Sequence, residues 1–123
     1  MKKKILIVDD EANYGLMLKI NLEQTGNYEV DAVTSAMDSY AKVKENRYDL
    51  IFLDVLMPRM EGREALDRIR QISKTPVVIM SGYLPSHKEK EIVRAGALAC
   101  LKKPLELAQV YNLIEKALQT KKD

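Results

Sequence analysis

Four short apolar runs in this chain each end in residues able to handle a phosphoryl group. Ile5 to Val8 leads into Asp9-Asp10, and Leu50 to Leu53 into Asp54. Val77 to Met80 leads into Ser81-Gly82, and Ala97 to Leu101 into Lys103-Pro104 by way of Lys102. Carboxylates held close together repel one another, and without compensation at least one retains a proton. A hard divalent cation compensates well: Mg²⁺ takes oxygen ligands and favours one or two carboxylates beside phosphate oxygens. Asp10 and Asp54 read as its direct ligands, and Asp9 as a ligand acting through water. Neither G-x-x-x-x-G-K-S/T nor G-x-G-x-x-G occurs, so a nucleotide cradle is unsupported. A carboxylate can instead be the nucleophile and form an aspartyl phosphate. Asp54, ending the run between the others, is the candidate. Lys103 then neutralises one phosphoryl oxygen and the Ser81 hydroxyl bonds another, so that positioning and electrostatics supply most of the catalysis.

The elements that must position these groups are legible as alternating strands and helices. Strands are expected at 5–8, 29–33, 49–53, 77–80 and 97–101, three of them almost continuously apolar, as in parallel strands covered on both faces. Between them, Ala12, Leu16, Met17 and Ile20 read as the inner stripe of a first helix that stops near Gly26. Ser35 with Asp38 reads as a capping box opening a second helix, with Ala36, Tyr40 and Val43 inward. Ala65, Leu66, Ile69 and Ile72 mark a third helix, and Ile92 and Val93 a short fourth ending near Gly96. Leu107, Val110, Tyr111, Ile114 and Leu118 mark the fifth. Five such units make a doubly wound α/β fold around a five-stranded parallel sheet. Ligands of such sheets bind outside the carboxyl ends of the strands. Asp9, Asp10, Asp54, Ser81 and Lys103 are therefore expected to line one crevice.

The bulk properties fit one domain over residues 1–123. Hydrophobic residues make up 46% and charged residues 31%, an ordinary globular balance. The net charge of +2 comes from dispersed residues, which argues against a nucleic-acid-binding face. Lys2-Lys3-Lys4 and Lys121-Lys122 read as solvated ends. The apolar run after Lys4 is too short for a signal peptide, and no run approaches the ~20 apolar residues of a membrane span. One cysteine and one histidine exclude an intramolecular disulfide and a zinc cluster, and the lone thiol fits a reducing cytoplasm.

Taken together, Asp9-Asp10, Asp54 with Met57-Pro58 and Gly62, Ser81-Gly82, Ala95-Gly96-Ala97 and Lys103-Pro104 resemble the receiver domain of two-component response regulators. The resemblance covers about residues 3 to 120. It implies a flavodoxin-like sheet with strand order 2-1-3-4-5 and five helices. It implies phosphorylation of Asp54 by the phosphohistidine of a histidine kinase or histidine phosphotransfer protein, the domain being a signalling switch and not an enzyme acting on external substrates. It further implies Mg²⁺ held by Asp10, Asp54 and the backbone carbonyl of Leu56, with Asp9 nearby, a cis Lys103-Pro104 bond, and Ser81 as the switch hydroxyl. The switched surface comprises the fourth helix, fifth strand and fifth helix, which is also the candidate contact for a homodimer or an unknown downstream protein.

Cys100 departs from the family pattern, which usually carries Tyr or Phe three residues before the lysine. It reads as a buried apolar thiol, against a redox-sensitive thiol or a reduced form of the usual switch. Leu56 and Tyr83 flank the path of the hydrolytic water in receivers. Neither offers a carboxylate or carboxamide, so a slowly hydrolysed phosphoryl group is expected. His87 reads as a solvated residue in Pro85-Ser86-His87-Lys88, and Met57, Met60 and Met80 as packing residues. The competing reading is a small Mg²⁺-dependent phosphohydrolase with an aspartyl nucleophile. That group places its nucleophile after the first strand in a D-x-D arrangement, whereas Asp9 and Asp10 are adjacent here. A receiver-like module that is never phosphorylated is disfavoured by the complete acid, hydroxyl and lysine set. No output region lies within these residues, which leaves a stand-alone receiver and an excised domain both open.

Overall fold

The computed structural model describes residues 2–57, 60–82 and 85–120, with the side chains at 56–57, 60–62 and 119–120 outside that description. The elements run β1 (Lys3–Val8), α1 (Ala12–Glu23), β2 (Tyr28–Val33), α2 (Ala36–Glu45), β3 (Leu50–Asp54), β4 (Leu56–Met57), β5 (Met60–Glu61), α3 (Gly62–Ile72), β6 (Val77–Ser81), α4 (Ser86–Arg94), β7 (Ala99–Lys102) and α5 (Leu107–Thr120). Five strands form one sheet in the order β2-β1-β3-β6-β7, with every pairing parallel. This is the 2-1-3-4-5 order expected of the five sheet strands. The small antiparallel pair β4–β5, with Leu56 opposite Glu61, lies outside the expected pattern.

The core divides by strand parity. Leu6, Val8, Ile51, Leu53, Val77 and Ile79 pack with Tyr40, Val43, Leu66, Ile69 and Ile92 from α2, α3 and α4. Ile5, Ile7, Leu50, Phe52, Val78 and Met80 pack with Leu18, Leu22, Val110 and Ile114 from α1 and α5. Both faces of β1, β3 and β6 are thus covered, which is why those strands lack polar alternation. Ser35 begins α2 by accepting a hydrogen bond from the Asp38 N–H at 3.1 Å, one half of the expected capping box.

The first helix turns a different face inward from the one expected. Gly15, Leu18 and Leu22 are buried, while Leu16, Met17 and Ile20 stand exposed. Burying Leu18 and Leu22 contributes ~1.5–3 kcal/mol each. Gly15 faces the sheet: a Cβ there would lie in ordinary contact range, 3.7 Å from the Cβ of Ala32 on β2. The stripe of larger residues is therefore the wrong guide; the inward face runs through Gly15, Leu18 and Leu22. Ile72 and Val93 are likewise exposed, beside Ile69 and Ile92, which are buried as expected. Gly26 (φ +81°) and Gly96 (φ +115°) hold left-handed conformations after α1 and α4, as a helix stop requires.

Candidate functional site

Parity also decides which polar groups meet at the carboxyl edge of the sheet. Asp9 continues the Ile5, Ile7 series, Asp54 the Leu50, Phe52 series, and Lys103 follows Leu101, all on the α1/α5 side. The result is a compact charged cluster. The Lys103 Nζ donates to Asp9 Oδ2 at 2.7 Å and to Asp54 Oδ2 at 3.0 Å. Asp9 and Asp54 are buried and the Lys103 side chain is 13% exposed. Asp10 lies at the rim, exposed, and one carboxylate oxygen from each of Asp9, Asp10 and Asp54 falls within a 4.8 Å group. That donor set, hard oxygens on a half-open edge, fits a hard divalent cation such as Mg²⁺.

Each member is held locally. Asp9 Oδ1 accepts the Glu11 N–H at 2.9 Å, a turn that opens α1 and fixes the carboxylate. Both Asp9 oxygens are thus engaged by the chain itself. The Lys103 N–H donates to the Ser81 carbonyl at 2.8 Å, tying the end of β7 to the end of β6, and the Lys103-Pro104 bond is cis. The ammonium sits 4.6 Å from the centroid of the Tyr14 ring on α1, and the Tyr14 hydroxyl accepts the Leu105 N–H at 2.9 Å. The Glu11 carboxylate approaches the ammonium at 3.7 Å. Sequence reasoning missed both Tyr14 and Glu11. Glu11 directly follows the acid pair, and Tyr14 lies one helical turn beyond Asp10, a spacing that returns a side chain toward the same end of the sheet.

Burial pushes the Asp9 carboxyl above its usual range, against the downward pull of Lys103 and the Glu11 N–H. At Lys103 burial works against the charge, but bonds to Asp9 and Asp54 outweigh it, so the ammonium is held more firmly than usual. Ser81 ends β6 on the opposite parity, 2% exposed, in the Val77, Ile79 series. Cys100 pairs with Ile79 and packs against the same face. The acids and lysine thus end strands on one parity of the edge, while Ser81 and Cys100 fall on the other, toward the α2/α3/α4 side of the core. Leu56 begins β4, with its side chain outside the described residues; Tyr83, Pro58 and Arg59 lie wholly outside them. His87 is exposed in the first turn of α4 and lines a surface cleft with Arg63, Glu91 and Arg94.

Cys100 is half-buried, and burial with the nearby Glu89 charge pushes its thiol up to about 11. Since the thiolate is the nucleophile, iodoacetamide should label Cys100 at pH 7.5 at least ~10-fold more slowly than a free cysteine. The rate should still climb between pH 9 and 11, where an exposed thiol has levelled off. Alkylation at the rate of a model thiol contradicts this. In the same window the folded state keeps a proton that the unfolded chain has released, so stability should fall with rising pH.

Fold and site together define a doubly wound α/β domain with a lysine-bridged acid cluster at the carboxyl end of its sheet. The family model for the response regulator receiver domain matches residues 5–115. The chain belongs to that family, the receiver domains of two-component systems. It is 35% identical over 118 residues to the transcriptional regulatory protein ZraR of Salmonella typhimurium, covering 95% of this chain and 26% of the relative. It is 33% identical to the response regulator ArlR of Staphylococcus haemolyticus, covering 94% of this chain and 52% of that one. The chain thus spans about a quarter to a half of these curated relatives. Among solved structures, a two-component response regulator from Clostridium difficile superposes with a TM-score of 0.91 at 28% identity, covering 96% of this chain and 97% of the other. A response regulator receiver domain protein from Clostridium thermocellum gives 0.90 at 28%, covering 98% and 97%. Receiver domains of this family interact with histidine kinases and with downstream targets.

Proposed function

We propose that Asp54 accepts a phosphoryl group from the phosphohistidine of a histidine kinase or histidine phosphotransfer protein. The observation that carries this is the lysine bridge: the ammonium of Lys103, just past β7, seated on the carboxylates of Asp9, just past β1, and of Asp54, ending β3, at the edge where doubly wound sheets bind ligands. An Asp54 carboxylate oxygen attacks phosphorus and the new O–P bond forms as the N–P bond of the donor breaks. The imidazole nitrogen keeps the electron pair and takes a proton. Lys103, already touching Asp54, neutralises a phosphoryl oxygen, and the Ser81 hydroxyl bonds another. Asp10, Asp54 and the Leu56 carbonyl would hold Mg²⁺, while Asp9, with both oxygens engaged, acts through water. Bound there, Mg²⁺ supplies charge neutralisation for the carboxylate and the incoming phosphoryl oxygens.

The domain, taken as residues 1–123, then works as a switch and not as an enzyme for external substrates. Phosphorylation draws on Ser81, whose parity places it with Cys100 on the α4 side, so the readout falls on the surface of α4, β7 and α5. That surface serves a downstream protein or a second copy. Cys100 offers no ring to rotate, which confines the response to smaller shifts of the α4 side. Leu56 and Tyr83 bring no group to orient a water, which favours a long-lived mark. The lone half-buried thiol suits a cytoplasmic setting. Incubation with acetyl phosphate and Mg²⁺ should add one phosphoryl mass to the peptide containing Asp54, and the Cys100→Tyr variant should still take it up. A chain that gains no such mass, or gains it elsewhere, overturns the proposal.

A further inference from the structure

Tyr14 is a neighbour of the proposed machinery that the chemistry above does not use. It is half-buried on the first turn of α1, packed against the α1/α5 side of the core. Its two ends make two different contacts across the same short segment of chain. The ring lies under the Lys103 ammonium at 4.6 Å, within cation–π range. The hydroxyl accepts the N–H of Leu105, the residue after Pro104, at 2.9 Å. One side chain of α1 therefore grips both the lysine and the backbone two residues beyond it.

Lys103 needs such a grip. Its stem is flexible, and an ammonium is a compact charge that many rotamers could place elsewhere. Asp9 and Asp54 attract it but do not by themselves fix its position, because three acidic groups compete for it: Asp9 at 2.7 Å, Asp54 at 3.0 Å and Glu11 at 3.7 Å. A ring face supplies a further attraction without adding another negative charge to an already acidic site. The hydroxyl bond fixes the entry to α5, so the backbone that carries Lys103 is held at both ends: by the Ser81 carbonyl before it and by Tyr14 after it.

We propose that Tyr14 is a positioning residue for phosphorylation of Asp54. Its ring sets the Lys103 ammonium against the carboxylates, and its hydroxyl fastens the segment from Lys103 to Leu105. Tyr14 does not touch the phosphoryl group; it acts through Lys103. The inference rests on the phosphoacceptor reading, and the two can fail separately.

The test compares Tyr14→Phe, which keeps the ring, with Tyr14→Leu, which loses ring and hydroxyl, in the full 123-residue chain. Tyr14→Met is a second ring-free variant should the leucine form not fold. Acetyl-phosphate labelling of Asp54 should slow ~2–3-fold in Tyr14→Phe, on the scale of one hydrogen bond to the loop. It should slow ~10-fold or more in the ring-free variants, where a cation–π contact is lost as well. Two NMR readouts separate positioning from folding. The Lys103 side-chain proton shifts should keep their ring-current displacement in Tyr14→Phe and lose it in the ring-free variants. The Leu105 amide should exchange faster in all of them. A ring-free variant that is folded and labels at the wild-type rate overturns the inference, as does slowing equally large in Tyr14→Phe. If the wild type itself shows no labelling at Asp54, the phosphoacceptor reading fails and takes this one with it.

Discussion

Asp54→Asn is expected to abolish acetyl-phosphate labelling altogether and, in metal-free buffer, to raise the melting temperature. The loss follows from chemistry and not from shape. Asparagine has nearly the same volume and still presents an oxygen to the Lys103 ammonium, which sits 3.0 Å from Asp54 in the wild type. A carboxamide oxygen has no negative charge to attack phosphorus, so no O–P bond forms. The gain in stability follows from the charge count. Among the described residues, the Asp9, Glu11 and Asp54 carboxylates gather around the Lys103 ammonium, with Asp10 beside Asp9 and Asp54. Two of these acids, Asp9 and Asp54, are buried, where repulsion is poorly screened. Removing one negative charge relieves more repulsion than the weakened lysine bond loses. About 1 kcal/mol is a reasonable scale, or a rise of ~3–6 °C for a domain of this size. Mg²⁺ should narrow the gap, because it stabilises whichever form binds it more tightly, and the wild type offers the fuller ligand set. Melting curves with EDTA and with excess Mg²⁺ measure both parts. A melting temperature that falls in EDTA would show that the lysine bond outweighs the crowding of acids.

The strand ends were legible because chemistry and periodicity coincide there. A continuous apolar run cannot place a carboxylate inside itself, so Asp9, Asp54 and Ser81 had to mark its limit, and strands β1, β3 and β6 end within a residue of the expected positions. What could not be read was the direction of approach. Parity separates Ser81 from Asp54 even though both end neighbouring strands, and parity depends on the register Asp54–Met80, which no single strand encodes. The same limit explains α1. Leu16, Met17 and Ile20 have the correct spacing for a buried stripe, yet the helix docks through Gly15, Leu18 and Leu22, an equally regular stripe that only packing on the sheet selects. Tyr14 does not stand out in the sequence for a related reason. Its ring is ordinary on a helix until the chain's far end returns and Lys103 comes to rest on it. Contacts between first helix and last loop are set by the whole fold, while caps such as Ser35 with Asp38 are set by three residues and were read without it.

Lys103→Met should destabilise the domain by about 3 kcal/mol at pH 7 without divalent cation, the scale of breaking a buried ion pair by removing one partner. Methionine keeps the length and apolar stem of lysine, so packing over Tyr14 survives while the charge is lost. Asp9 and Asp54 then face each other, buried, without the ammonium now 2.7 Å and 3.0 Å away. The wild-type lysine contributes fully at pH 7: a raised folded pKa makes its contribution complete below the ordinary value of 10.5 and lost only as pH rises through the folded value. The variant should have the opposite dependence. Asp9 already holds its proton more tightly in the fold than its ordinary value of 3.8, because of burial, and losing Lys103 removes the chief downward pull. The folded state of the variant then binds a proton that the unfolded chain does not, so its stability should rise as pH falls from 7 toward 5. Mg²⁺ should repair it too, and bind at least ~10-fold more tightly than to wild type, since lysine and cation compete for the same oxygens. Labelling should nonetheless fall ~100-fold, the usual cost of removing one fixed charge from a developing transition state. Urea unfolding at pH 5 and pH 7, with and without Mg²⁺, reads the first three effects. A loss of stability equal at both pH values and untouched by Mg²⁺ would place the role of Lys103 in packing, and the acid cluster would no longer explain why the lysine lies where it does.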